Sequence, residues 1–360
     1  MKINRVDVIP YALRFREPYV TARGRLEERE LVLLGAHTEA AQGLGEAAPL
    51  SLRGGPQAGA IARDLDERCR PLLEGAELDP QDWTAIAERC ERSGISRQAL
   101  AAVELALLDL AGKLSGVPAW RLLGAESARP VTCNATLVAG SPQAVAQSAD
   151  HYAARGFTTF KLKVGVDGDL EQVGAVRQAL GPDARIRIDA NGVWTREQAI
   201  AILQALERHE IELAEQPAGT LEELADIRRE TRIPIFADES VASAAEARAA
   251  VAGEACEGAT VKIAKVGGLR AAQAIVAVLP VYLSSALDGP VGIAAAAHLA
   301  QVLPSTGAAS GLAHGLATAE LFEDSIAASQ CEVVDGRLMP PRGPGLGIEL
   351  DRAALERHRR

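Results

Sequence analysis

At 360 residues the chain is longer than one small domain needs, and 48% hydrophobic content with only 3% aromatic residues implies a core of Ala, Leu, Val and Ile. A net charge of −10 and the absence of a basic stripe argue against nucleic acid as a partner. The five cysteines (Cys69, Cys90, Cys133, Cys256, Cys331) are scattered and lack a CxxC pair, which fits a reducing cytoplasm and neither a disulfide scaffold nor a zinc cluster.

The opening MKINRVDVIPYALRF lacks the apolar run of a signal peptide. The longest apolar tract, near 271–287, is broken by Gln273 and Pro280, so no membrane span is needed. ERELVLLGAHTEAAQGLGEAAP alternates and turns like an antiparallel sheet, and PQAGAIARDLDERCRPLLEG and SRQALAAVELALLDLAGKLSG have helical spacing. Residues 1–125 are therefore expected to form an α+β domain. From residue 126 to 325 short apolar strands alternate with helical stretches. VTCNATL, TTFKLKV, RIRIDAN, IELAEQP, PIFADES, ATVKIAKV, PVYLSSAL and ASGLAHGL supply eight strand candidates. The landmarks Lys163, Asp189, Glu215, Asp238 and Lys262 follow one another at 26, 26, 23 and 24 residues. A strand–helix period near 24 residues predicts parallel βαβ units closing a TIM-type (β/α)7–8 barrel, with these strand ends converging on one mouth. The segment 326–360 reads as strands and turns, with a turn at Asp335-Gly336, and is expected to return to the N-terminal domain.

The cations are unevenly distributed. Only six are lysine against 32 arginines, and four of the six are Lys161, Lys163, Lys262 and Lys265, in KLK and KIAK. Arginine is permanently charged, whereas burial and nearby charge drive lysine neutral, so lysine can take and return a proton. Between the two strings lie Asp189, Glu215 and Asp238, each at a strand end. Taken singly, each carboxylate fits a helix cap or a salt bridge; as a set they offer hard oxygens suited to Mg²⁺, and no His or Cys joins them to suggest zinc. Lysines on strands two and six, on either side of such a set, suit removal of a proton α to a carboxylate while the metal stabilises the enediolate. A metal-free barrel with a Schiff-base lysine, as in aldolases, is the competing chemistry.

KxK, DxN, EQP, DES and KxxKxGG, in this order at these strand ends, resemble the enolase superfamily, muconate lactonizing enzyme subgroup. The resemblance covers essentially the whole chain, including GLGEAAP of an α+β capping domain and the C-terminal return. It implies that Asp189, Glu215 and Asp238 bind Mg²⁺, for which Mn²⁺ substitutes, and that Lys163 and Lys262 are the acid/base pair. It further implies that Lys161 lowers the pKa of Lys163 by like charge and that Asn191 and Glu239 orient ligands. Lys265 matches no motif position with a role and reads as an exposed rim cation. The subgroup includes cycloisomerases, dipeptide epimerases, N-acylamino acid racemases and o-succinylbenzoate synthases. The string Ser284, Ser285, Asp288, Gly292 resembles the last of these, and TARGRLEERE, with Thr21, Arg23 and Gly24, resembles their mobile specificity loop. The implied reaction is loss of water from 2-succinyl-6-hydroxy-2,4-cyclohexadiene-1-carboxylate, a step of menaquinone biosynthesis. Lys163 would take and return the proton, and Lys262 would face the developing aromatic ring as a cation. Ser284 and Ser285 either donate to a substrate carboxylate or satisfy local backbone. Arg23 either meets the succinyl carboxylate or is solvated. The expected partner is a small-molecule carboxylate in the cytoplasm, with homo-oligomerisation left open.

Overall fold

Alternating apolar positions near the N-terminus form a long antiparallel hairpin, β1 (Arg5–Thr21) with β2 (Gly24–His37), and β3 (Gln42–Ala47) adds to the free side of β2. The computed structural model describes residues 1–304, 311–329 and 331–360. Behind this sheet lies the helix Arg97–Ser115, started by the Ser96 side chain, which accepts from the Ala99 amide, and ended by left-handed Gly116. Nearly all its residues are buried, because it is covered on more than one side. The sheet approaches it closely: a Cβ on Gly45 would stand 1.9 Å from the Ala102 carbonyl oxygen, and one on Gly43 2.1 Å from that of Ala106. Only glycine permits that backbone contact.

After β4 (Val131–Thr132), seven parallel strands form one sheet. They are β5 (Ala135–Leu137), β6 (Thr159–Lys163), β7 (Arg185–Asp189), β8 (Ile211–Glu215), β9 (Ile235–Ala237), β10 (Gly258–Val261) and β11 (Val281–Leu283), in spatial order. A helix follows each strand, and several begin where the sequence carries a start signal. Ser141, Thr195, Thr220 and Ser243 each accept from an amide in the first turn, and Gln198 and Glu223 complete capping boxes. The tail contributes β12 (Ala327–Ser329), a hairpin of β13 (Val333–Val334) and β14 (Arg337–Leu338), and β15 (Glu349–Leu350). Asp335 and Gly336 both have positive φ, at 49° and 64°, as a two-residue hairpin turn requires. Beyond it the Leu346 amide bonds Asp109 of the buried helix at 2.7 Å, and the Arg360 amide bonds the Pro10 carbonyl at 3.0 Å.

Two expected strands differ from their sequence pattern. The first is broken at Cys133 and Asn134: β4 pairs antiparallel with β14, and only β5 enters the barrel sheet. The eighth, expected at 309–316, lies partly outside the described residues. Its described part makes two isolated parallel bridges, His314 to Cys133 and Gly315 to Ser284. Those two residues join the first strand to the seventh, and glycines on either side of Leu312–His314 explain why no longer ladder forms there. Among the described residues no helix is long and apolar enough to cross a membrane.

Candidate active site

Strand register sets the level of the site. Lys163 stands beside Asp189, and Asp189 beside Glu215, at the C-terminal ends of β6, β7 and β8. Asp238 follows β9 and Lys262 follows β10. The three carboxylates are fully buried, and Lys161, Lys163 and Lys262 nearly so. Lys163 Nζ donates to Asp189 Oδ2 at 2.6 Å and to Asn191 Oδ1 at 3.3 Å. Lys161 Nζ donates to Glu215 Oε2 at 2.6 Å and lies 2.9 Å from Asp189 Oδ2. Lys262 donates to Asp238 from the far side of the set. Asn191, in a left-handed conformation at φ 50°, bonds the Asp189 side chain through its amide at 3.0 Å and Glu239 through Nδ2 at 3.2 Å.

The electrostatics differ between the two lysines. Burial is the largest influence on the Lys163 ammonium and pushes it toward neutrality, but the pull of Asp189, joined by a smaller one from Tyr19, turns the balance and the pKa is raised. Lys161 does act in the lowering direction expected of it, yet its contribution is smaller than that of Asp189, so the expected net depression is absent. Lys262 is lowered to about 8, by burial first and then by Arg53, against the pull of Asp238 and Glu215. Asp189 and Asp238 are held well below the carboxylate range: burial opposes ionisation, and the surrounding lysines overcome it.

Lys265 corrects an expectation. It is buried, and its ammonium donates to Asp238 Oδ1 and to the Thr260 carbonyl, both at 2.9 Å, and to the Asp238 carbonyl. The single helical turn Ile263–Val266 after β10 folds it back beneath Asp238. The KxxK spacing, three residues within one turn, was the available signal. Two further participants gave none. Arg53, at the end of the short 3-10 helix Ser51–Arg53 that follows β3, donates to Asp238 Oδ2 at 3.0 Å and lies 3.1 Å from Glu239 Oε1. The Tyr282 hydroxyl on β11 donates to Glu215, and its ring lies 4.8 Å from the buried Arg187 guanidinium.

Above this cluster is a pocket lined by Thr21 and Arg23 of the β1–β2 tip and by Ser284 and Ser285 after β11. Arg23 is exposed but not free: Nε and Nη2 bond the Asn191 carbonyl at 3.0 and 2.9 Å, strapping the tip to the barrel. Ser285 Oγ accepts from the Asp288 amide at 2.9 Å and from Thr318 Oγ1 at 2.7 Å, so it satisfies local structure, whereas Ser284 makes no such bond among the described residues. Asp288 and Gly292 do not line the pocket. Asp288 accepts from the Ala286 amide at 2.9 Å, and the Gly292 amide donates to Glu46 of the capping domain at 3.2 Å.

Among the described residues no three His, Cys, Asp or Glu side chains are grouped as a ready metal cluster, because the carboxylates are turned onto ammonium groups. The donor chemistry nevertheless fits a hard divalent cation. Three buried carboxylates supply only oxygen, and among the described residues Glu215 Oε1 is a buried acceptor with no hydrogen-bond donor.

Residues 4–124 match the family model for the mandelate racemase/muconate lactonizing enzyme N-terminal domain, and residues 143–354 match that for the enolase C-terminal domain-like family. An o-succinylbenzoate synthase of Thermobifida fusca (strain YX) is 39% identical over 220 residues, 59% of this chain and 65% of that enzyme. A muconate lactonizing enzyme of Pseudomonas fluorescens, solved with muconolactone, superposes with a TM-score of 0.93 at 28% identity, covering 100% of this chain and 99% of that one. A dipeptide epimerase of Enterococcus faecalis V583, solved with Mg and the dipeptide L-Leu-L-Tyr, gives 0.90 at 28% identity over 97% and 100% of the two chains. The chain is an enzyme of the enolase superfamily and belongs to its muconate lactonizing enzyme subgroup.

Proposed function

We propose that this enzyme is an o-succinylbenzoate synthase, removing water from 2-succinyl-6-hydroxy-2,4-cyclohexadiene-1-carboxylate to give 2-succinylbenzoate. The observation that carries this reading is the charge of the pocket wall. Among the described residues, every charged side chain that lines it is a cation: Arg23, Arg29, Arg53, Lys161, Lys163 and Lys262. A substrate with two carboxylates complements such a wall, whereas the ammonium group of a dipeptide would meet no carboxylate on it. The similarity to the Thermobifida fusca enzyme supports the same choice.

Asp189, Glu215 and Asp238 would hold Mg²⁺, which, when bound, supplies positive charge for the substrate carboxylate as its α-proton leaves. With Asp189 so engaged, burial and Lys161 both favour neutral Lys163, the form that accepts a proton. Lys163 takes the α-proton and returns it to the departing hydroxyl on the same face, so one proton and one hydroxide leave together as water. Lys262, on the far side of the carboxylates, faces the ring as a cation as the ring becomes aromatic. The Arg23 strap holds the β1–β2 tip over the pocket and limits entry of water. N-Acylamino acid racemisation is the second reading, supported by the two lysines on opposite sides of the carboxylates.

Incubation of the Mg²⁺-loaded enzyme with the cyclohexadiene substrate in heavy water tests the proposal. The expected result is an aromatic absorbance change with no deuterium exchanged into the product. Deuterium at the α carbon of N-acylamino acids without any aromatisation would overturn it in favour of the racemase.

A further inference from the structure

Arg29 projects from β2 of the capping domain and is 5% exposed. Nε donates to the Leu287 carbonyl at 3.1 Å, and Nη2 donates to those of Ala286 at 2.7 Å and Pro49 at 2.5 Å. These carbonyls belong to the two loops that frame the pocket: one leads to Arg53, the other follows β11. Leu287 itself has φ 60°, a left-handed conformation that a leucine rarely adopts, and its carbonyl is held by the guanidinium. The orientation of Arg29 is thus set by main-chain atoms before any ligand arrives.

Its charge is left without an ionic partner. Arg53 is paired with Asp238 and Glu239, and the buried Arg187 with Glu212, but Arg29 makes no ion pair among the described residues. Asp288 and Glu46 act on it only at longer range, and burial pulls its pKa down to about 10. Nη1 has no hydrogen-bond partner among the described residues, although Arg29 lines the pocket. A buried, oriented cation without a counter-ion is costly to the fold unless a ligand supplies the anion.

We infer that Arg29 determines specificity by binding the second carboxylate of the substrate, the one remote from the reacting carbon, through the free N–H bonds of Nη1. The inference rests on the dicarboxylate reading of the pocket. Two other nitrogens locked on carbonyls make this an anchor of fixed direction, so little freedom is lost on binding.

Calorimetry with the Mg²⁺-loaded enzyme tests it, using 2-succinylbenzoate and its distal primary amide as probes. The native enzyme is expected to prefer the diacid by at least about tenfold, the scale of a charge-assisted bond exchanged for a neutral one. Arg29→Met should reduce that preference to within about twofold while leaving amide affinity unchanged, and Arg23→Met should retain it. A folded Arg29→Met variant that keeps the full preference, or an Arg23→Met variant that loses it, overturns the inference while leaving the dicarboxylate reading in place. Failure of the native enzyme to bind either compound overturns both. If Arg29→Met does not fold, Arg29→Lys decides. Its ammonium cannot span three carbonyls and the ligand together, so the preference should fall, and full retention counts against the assignment.

Discussion

Replacing Glu46 by Gln should remove a pH dependence of stability built into the contact between capping domain and barrel. Glu46 is 3% exposed in the middle of GLGEAAP. Its carboxylate accepts from the Tyr11 hydroxyl at 2.7 Å and from the Gly292 amide of the barrel at 3.2 Å. Burial, and then repulsion from Asp288, raise its pKa to about 7 from an ordinary 4.5. A carboxyl raised in the folded state stabilises the fold while protonated; that contribution is complete below 4.5 and is lost as pH rises through about 7. At about 1.4 kcal/mol per pH unit, the interval sets an upper bound of about 3.5 kcal/mol. Gln keeps an acceptor for Gly292 and a polar group beside Tyr11, but does not ionise. Urea unfolding of both proteins at pH 5 and pH 8.5 isolates the site as a double difference. The native protein should lose about 2–3 kcal/mol more than the variant between the two conditions. Asp288, also raised by burial, titrates in the same direction, and loss of the Glu46 charge eases its own ionisation, so the double difference reports the coupled pair. A variant whose stability falls with pH as steeply as that of the native protein would refute the reasoning.

Lys163→Ala should lower turnover by roughly 10²–10⁴-fold, the usual yield of a positioned acid/base, with Mg²⁺ affinity near native by calorimetry. Appreciable residual turnover would count against a base at this position. Asp238→Asn should weaken Mg²⁺ binding by at least about tenfold, and unchanged affinity would remove Asp238 from the ligand set. Gly45→Ala should destabilise the enzyme by about 1–3 kcal/mol or more, because its Cβ would stand 1.9 Å from the Ala102 carbonyl oxygen. Native-like thermal unfolding of that variant would contradict the close packing of sheet on helix.

Much of the barrel is legible because each unit carries its own signals. Thr195 and Thr220 announce helices that follow β7 and β8, and the regular spacing from Lys163 to Lys262 brings strand ends to one level. Local pattern fails where a contact joins distant elements. Arg53 reaches Asp238 across 185 positions and is one of 32 arginines, so nothing in its own neighbourhood marks it. Tyr282 is an ordinary strand residue until the barrel places its hydroxyl on Glu215. The break after Thr132 likewise depends on a partner, since β14 captures β4 from some 200 residues downstream. Ser284 to Gly292 shows the same limit within one short string. The serines meet the pocket, whereas Gly292 meets Glu46, and spacing alone does not separate those fates.

Among the described residues, the ring is joined at its eighth position by His314 and Gly315 alone. By themselves β5 to β11 form an open sheet whose two edge strands are β5 and β11. Closure awaits a stretch near the end of the chain, which also brings the Ala313 carbonyl to the buried Arg187 guanidinium at 2.7 Å. Sealing the sheet and giving that guanidinium, already paired with Glu212, its carbonyl acceptor depend on the same stretch. Every lysine and carboxylate of the central cluster precedes this stretch in the chain, so the final shape of the mouth depends on residues that follow all of its charged groups.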